Sequence, residues 1–453
     1  MLRLFFFLLL VLAAASVAAF LAEQPGQVTI AWLGQRMDTS VAALVLIAVG
    51  LMLVTWVVAQ VILRLAMALG FARQRAEQKR KEHGYETLNR AMAALASGEE
   101  REAKRLTGRA AALLPDEPLS HVMAAEAARL AGDEGLRREH LKKLAERDDT
   151  AFLGLRGQVE AARRQGRTGE MLTLLDRALT LRPKSRWARL SRLETLKLAG
   201  RWAEARDAID PAVKAGAVGS DEAPRMKAVL NHCMAVEAEA AGRLDDARRL
   251  AHASHKDLRG FVPSAILDAR LAGLAGERAK AHRILKQTFV KRPHPDLVEA
   301  EAAIFKAETP QARLERLKAL MPRGEVPGEA RLLLGVAEAE AGNEDAAHTL
   351  LDPLTRAHDD GRAMAAMARA VEAIRGPDDP EARKWQDLER TTPVRSGFWQ
   401  CDSCANMRAN WTPLCPTCQA FDSLRWIGVG EPPVEPRAPA LADTEEHVLL
   451  EGA

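Results

Sequence analysis

Leu198-Ala-Gly200-Arg-Trp-Ala-Glu-Ala205 returns, changed but in the same phase, as Ala240-Ala-Gly242-Arg-Leu-Asp-Asp-Ala247, Leu274-Ala-Gly276-Glu-Arg-Ala-Lys-Ala281 and Glu340-Ala-Gly342-Asn-Glu-Asp-Ala-Ala347. The glycines belong to a longer series, Gly98, Gly132, Gly166, Gly200, Gly242, Gly276, Gly342 and Gly376, with steps of 34, 34, 34, 42, 34, 66 and 34 residues. The step of 66 is close to two periods with one glycine missing near Thr309. Five residues after the glycine stands Ala103, Ala205, Ala247, Ala281 or Ala347, and seven before it Ala91, Ala125, Ala235, Ala269 or Gly335. Seventeen after it comes Pro115, Pro183, Pro293 or Pro393. That order reads as a helix, a tight glycine turn, a second helix and a proline stop. The small residues fall where two helices must cross closely.

This phase resembles the tetratricopeptide repeat (TPR), and the resemblance covers roughly two-thirds of the chain. Single units are degenerate, with Arg137 and Met171 where alanine is expected. A TPR-like array implies a concave surface built from the first helix of each pair. In that phase Arg156, Glu160, Arg163, Trp187, Glu194, Lys197, His232, Glu239 and Arg270 line a mixed-charge groove for a peptide or another protein. Taken singly, each also reads as an ordinary solvated helix residue. The 42-residue step carries an insertion, Ala215 to Pro224, expected as a loop on one face. His232 and Cys233 lie near one helix, and His252 and His255 share a face at i, i+3. These are where a haem would be sought, although a solvated helix face is the simpler reading of the histidine pair.

Across 453 residues, 48% are hydrophobic and only 4% aromatic, which favours helices packed by small side chains. With 64 basic and 61 acidic residues the net charge is +3, so nucleic acid is not expected as a main partner. Of five cysteines, four cluster near the end, pointing to a metal site and not a disulfide scaffold.

Leu4 to Ala22 carries no charge and is long enough to span a bilayer; a cleaved signal peptide ending among Ala13 to Ala19 is the competing reading. Val41 to Leu63 is a second uncharged span, followed by Arg64, Arg73, Arg75, Lys79, Arg80 and Lys81. Basic flanks mark the cytoplasmic side, so both termini and the array are expected there. The short loop, Gln27 to Ser40, is expected as an interfacial turn with Trp32 at headgroup level. The expected organisation is a transmembrane hairpin over 1–71 (spans about 4–22 and 41–63), a basic juxtamembrane helix over 72–84, the array over 85–393, a four-cysteine module over 397–428 and a disordered acidic tail over 429–453. Within the tail, Val448-Leu-Leu450 offers a short docking peptide. The order of hairpin, basic stretch and TPR-like helices resembles the HemY N-terminal family. That resemblance implies the inner membrane of a proteobacterium and an association with late haem biosynthesis, and assigns no residue to a reaction.

Phe398-Trp-Gln-Cys401-Asp-Ser-Cys404 and Cys415-Pro-Thr-Cys418 place two Cys-x-x-Cys pairs ten residues apart. Four thiolates suit Zn²⁺, or iron in a rubredoxin-like site, with two redox dithiols as the alternative. Four protein ligands leave no open position, so the ion is expected to be structural and to hold together a module too small to fold on its own core. Trp399, Trp411, Phe421 and Trp426 are the expected core of that module and its docking face against the last repeat. Ala405 and Gln419, not histidine, follow the two pairs, which excludes covalent c-type haem. Membrane anchor, array and terminal module together also resemble the lipopolysaccharide assembly protein B family, which has one span where this chain has two.

No phosphate loop, Gly-x-Ser-x-Gly, His-Glu-x-x-His or alternating-strand pattern occurs, so no enzyme and no small-molecule substrate are expected. The fold expected is all-α: a membrane hairpin, a TPR-like α-solenoid and a zinc-ribbon or rubredoxin-like module. The function expected is a membrane-anchored scaffold for cytosolic proteins in late haem synthesis. The alternatives are a haem or porphyrin carrier, an iron electron-transfer protein and an envelope-assembly regulator.

Overall fold

In the computed structural model the glycines of the 34-residue series each follow a helix in the left-handed region, for example Gly200 at φ 67° and Gly242 at φ 73°. At all but Gly376, which proline follows, the next residue donates its N–H to a carbonyl five residues back: Arg201 to Leu196 at 3.0 Å, Arg243 to Ala238 at 2.8 Å and Glu277 to Ala272 at 2.9 Å. This closure satisfies carbonyls that a helix end leaves open. The structure describes residues 26–32, 35–306, 309–357 and 360–435, with Leu12, Ser16, Ala19 and Phe20 as isolated positions before them. The expected first span, its cleavage site, most of the acidic tail and Val448–Leu450 lie outside the described residues.

The alanines of the phase are where close packing needs them. Ala103, Ala205, Ala247, Ala281 and Ala347 are fully buried. At Gly335 a methyl group would come within 2.6 Å of Leu351 Cγ. Two helices stand at the missing beat: Lys306, at φ 44°, ends helix Pro295–Phe305, which lies against helices Val262–Leu274 and Arg278–Lys291, and the Thr309 hydroxyl caps helix Pro310–Leu320 through Ala312 N–H at 3.2 Å. The insertion differs from expectation. Only 215–221 is a connection, while Glu222, Ala223 and Pro224 open helix Glu222–Ala240, which is 19 residues long.

The chain divides into two units, Met1–Lys143 and Leu144–Ala453. In the first, the loop expected as an interfacial turn is a β-hairpin, β1 (Gln27–Trp32) antiparallel to β2 (Gln35–Ser40). The alternation from Val28 to Trp32, with Gly34 between the two strands, is the signal the sequence carries for it. The second span, the basic stretch and the first array helix form one helix of 56 residues, Val41–Ala96. Ser40 caps it through Ala43 N–H at 3.3 Å, and Ala43–Leu65 is long and apolar enough to cross a membrane, at mean hydropathy 2.5. The basic juxtamembrane stretch over 72–84 is helical, as part of this one helix, because no breaker stands there. Gly84 instead admits Leu114, whose Cγ lies 2.6 Å from where a methyl would be.

The second unit continues as paired helices from Ala151–Arg164 to Pro380–Thr391. It closes with a three-stranded antiparallel sheet in the order β4 (Met407–Arg408), β3 (Phe398–Cys401), β5 (Leu424–Ile427). Trp399, Cys401, Cys415 and Leu424 share one buried cluster with Ala265, Leu285, Phe289, Leu297 and Leu317 of the helices. The module has too few residues for a core of its own and completes one with the array.

Candidate metal centre and its docking face

The two Cys-x-x-Cys turns are built alike. Cys401 N–H donates to Asn406 C=O and Ala405 N–H to Cys401 C=O, at 3.0 and 2.9 Å; Cys415 N–H donates to Ala420 C=O and Gln419 N–H to Cys415 C=O, at 2.9 and 2.7 Å. The residue after each pair takes the left-handed conformation, Ala405 at φ 55° and Gln419 at φ 61°. Such a turn bends the chain so that two sulfurs face one point.

The four sulfurs lie within 4.8 Å of one another, with Cys401–Cys418 at 3.6 Å and Cys404–Cys415 at 3.7 Å. A tetrahedron of thiolates at a Zn–S length of about 2.3 Å has edges of about 3.8 Å, so the spacing fits one ion. Burial alone would push the Cys401 thiol up, but hydrogen bonding with the Ser423 hydroxyl and with the Cys404 and Ser403 backbone brings it down to about 6. Burial, then the neighbouring thiols, push Cys418 up to about 12. Four sulfurs held this close are a donor set that a cation completes. The four cysteines could therefore bind a metal ion; their donor set does not choose between zinc and iron.

The docking face is wider than expected: besides the last repeat, where the Arg362 guanidinium lies 5.9 Å from the Trp426 ring, it takes in the middle of the array. Trp399 and Trp426 stand opposite each other on β3 and β5, with ring centroids 5.7 Å apart, and belong to the module's core. Trp411, which also packs against the cluster of Cys401 and Cys415, and Phe421, bridged to Leu414, reach the middle of the array and not its last repeat. Trp411 meets Phe261 at 4.9 Å and His232 at 5.5 Å, both edge-on. Phe421 lies 6.5 Å from Trp202 and carries the Lys197 ammonium 4.7 Å above its ring. Beside them Arg225 grips the Asp422 carboxylate with two hydrogen bonds, at 2.6 and 3.1 Å. Further along, His294 stacks on Trp426 at 4.0 Å while its Nδ1 accepts the Asp296 N–H at 3.1 Å.

Burial holds both histidines neutral: His232 is pushed down to about 4, and His294 to about 3 with the Arg362 guanidinium adding to the effect. Burial also raises the Cys233 thiol to about 12, which makes it an inert apolar side chain.

The expected groove thus divides. Lys197 and His232 are buried under the module, and Glu194 is paired to Lys197 at 2.6 Å. Glu239 and Arg270 pair across adjacent helices at 2.6 Å. Arg156 stacks over Trp187 at 5.2 Å, Trp187 meets Phe152 edge-on at 5.7 Å, and Glu160 and Arg163 stand half-exposed 4.0 Å apart. The candidate haem pair separates: His252 is half-exposed and bonded to Asp268 at 3.2 Å, whereas His255 is buried. Their i, i+3 spacing straddles the helix edge and gives no common open face. Sequence reasoning missed Arg225, Phe261, His294 and Arg362, which carry the docking, because nothing periodic marks a contact 197 residues apart.

Fold and site together define a helical-repeat protein of the TPR type that carries a C-terminal four-cysteine module against its own array. Residues 26–132 match the family model described as HemY protein N-terminus. The chain is similar to "Probable magnetosome protein Mms48" of Magnetospirillum gryphiswaldense, 27% identical over 230 residues, which covers 50% of each chain. It is also similar to "Cellulose synthase operon protein C" of Xanthomonas axonopodis pv. citri, 29% identical over 299 residues, covering 64% of this chain and 19% of that one. The chain thus spans half or less of the length of these relatives. Among solved structures it is similar to one described as Naa15/Naa10 bound to HypK-THB, with TM-score 0.41, 12% identity and coverage of 70% of this chain and 54% of that one. It is also similar to YrrB, described as a TPR protein with an unusual peptide-binding site, with TM-score 0.22, 15% identity and coverage of 51% and 97%.

Proposed function

We propose that this chain is a membrane-anchored, non-catalytic scaffold whose repeat array binds other proteins, in association with late haem synthesis at the bacterial inner membrane. The observation that carries the binding role is the surface of helices Ala151–Arg164 and Arg186–Leu198, where Phe152, Arg156, Glu160, Arg163 and Trp187 stand clear of the module. Tryptophan and arginine are the residue types that dominate binding hot spots, and here each orders the other before a partner arrives. Ala43–Leu65 supports the anchor, and the basic residues that follow it support a cytoplasmic array. Cys401, Cys404, Cys415 and Cys418 hold a structural Zn²⁺ or iron ion, which fixes the two turns and supplies no reaction.

The haem pathway rests on the match over residues 26–132. The two relatives are named for a magnetosome and for a cellulose synthase operon, so an envelope-assembly role is the second reading. Crosslinking pull-down from native membranes tests both, comparing the intact protein with a Trp187→Ala/Arg156→Ala variant. Haem-pathway enzymes lost in the variant support the first reading. Envelope-assembly proteins lost in the variant move the scaffold to the second, and an unchanged set of partners refutes this surface as the binding site.

A further inference from the structure

The module is held to the array in two different ways. Strands β3 and β5 pair over four residues, and the chain leaving β5 is fastened where Val429 N–H donates to the buried Glu329 carboxylate, itself gripped by Arg362. Segment 402–421 has less strand pairing: the two-residue β4, one bridge between Leu414 and Phe421, the two cysteine turns and the Asp402–Arg425 pair at 3.0 Å, with Arg225 holding Asp422 at its end. Yet this segment carries Trp411, four residues before Cys415, and runs on to Phe421, three after Cys418. Those rings complete a buried cluster with Val229, Cys233, Phe261, Trp202 and Leu258 of the array. Without them an apolar face would stand in water in the middle of the repeats, the kind of patch that binds protein.

We propose that the ion held by Cys401, Cys404, Cys415 and Cys418 is a latch. It fixes Trp411 and Phe421 over the Trp202–His232–Phe261 face, and its loss opens that face while β3 and β5 stay seated. The array then has two states, one with its central face filled by its own module and one with that face open to solvent. The proposal rests on the reading that the four cysteines hold an ion, and the test separates the two.

Cys233 is the reporter, since it lies under Trp411 and Phe261 in that cluster and is otherwise inert. The full-length protein in detergent is pulsed with an alkylating reagent before and after chelation. Bound metal is counted by elemental analysis, and amide exchange is followed over 222–240, 258–274 and 398–400. Chelation is expected to speed Cys233 alkylation by about tenfold or more and to expose the two array segments, with 398–400 still protected and protection regained when Zn²⁺ is restored. A Trp411→Ala variant is expected to open Cys233 while keeping its metal. Metal released with Cys233 still protected overturns the latch. A purified protein that never holds metal overturns the underlying reading instead, and exposure of 398–400 together with Cys233 overturns the two-part attachment.

Discussion

Glu329 receives two hydrogen bonds from Arg362, at 2.9 and 2.7 Å, and its carboxylate also accepts the Val429 N–H at 3.1 Å. One buried side chain thus joins helices Gly328–Glu340 and Gly361–Arg375 to the chain as it leaves the module. Glu329→Ala leaves a largely buried guanidinium without its counter-charge, and the expected loss is about 3 kcal/mol. Urea unfolding checks this, with the repeats before Gly242 expected to keep their exchange protection.

Close approach at Gly328 makes a second, more local prediction. A methyl group there would stand 2.4 Å from the Val429 carbonyl oxygen, which is backbone and cannot rotate away. Gly328→Ala is expected to cost about 1–3 kcal/mol and to raise amide exchange across Leu424–Ile427. At Gly276 nothing lies within 4 Å of an added methyl, and the cost of Gly276→Ala is only that of a left-handed alanine, about 1 kcal/mol, without effect on that strand.

Acid should loosen the docked face. The folded protein holds His232 at about 4 and His294 at about 3, both below the unfolded value of about 6.5. The unfolded chain therefore takes up protons first, so stability is full above about pH 6.5 and falls as the pH drops toward the folded values. At pH 5 each histidine accounts for about 2 kcal/mol of that loss. Acid also releases thiolate-bound metal, so the comparison is with His232→Phe. Its urea midpoint should fall less between pH 7.5 and 5 than that of the parent, and equal slopes would contradict the assignment.

Much of the repeat architecture was legible because it is local. A glycine that ends a helix, an alanine five residues later and a proline stop are constraints within one unit, and repetition multiplies them. At the silent beat near Thr309 no glycine stands, and Lys306 ends the helix with a positive φ of its own. The four cysteines were legible for the same reason, since each pair is a single turn. The β-hairpin at Gln27–Ser40 carried only a short alternation, and Val41–Ala96 concealed three expected segments in one helix because nothing in it marks a break. The docking of the module was not legible at all. Phe421 over Lys197 and Trp411 against His232 are meetings between distant segments, and each residue alone reads as an exposed helix position or a module core residue.

The self-occupied groove is tested most directly by a photo-crosslinker at Trp411. With benzoyl-phenylalanine at that position in the intact protein, irradiation in membranes should join it to the same chain at Val229–Cys233 and Leu258–Val262, the neighbourhood of His232 and Phe261. Crosslinks to other proteins or to other copies, with none to those segments, would contradict the account.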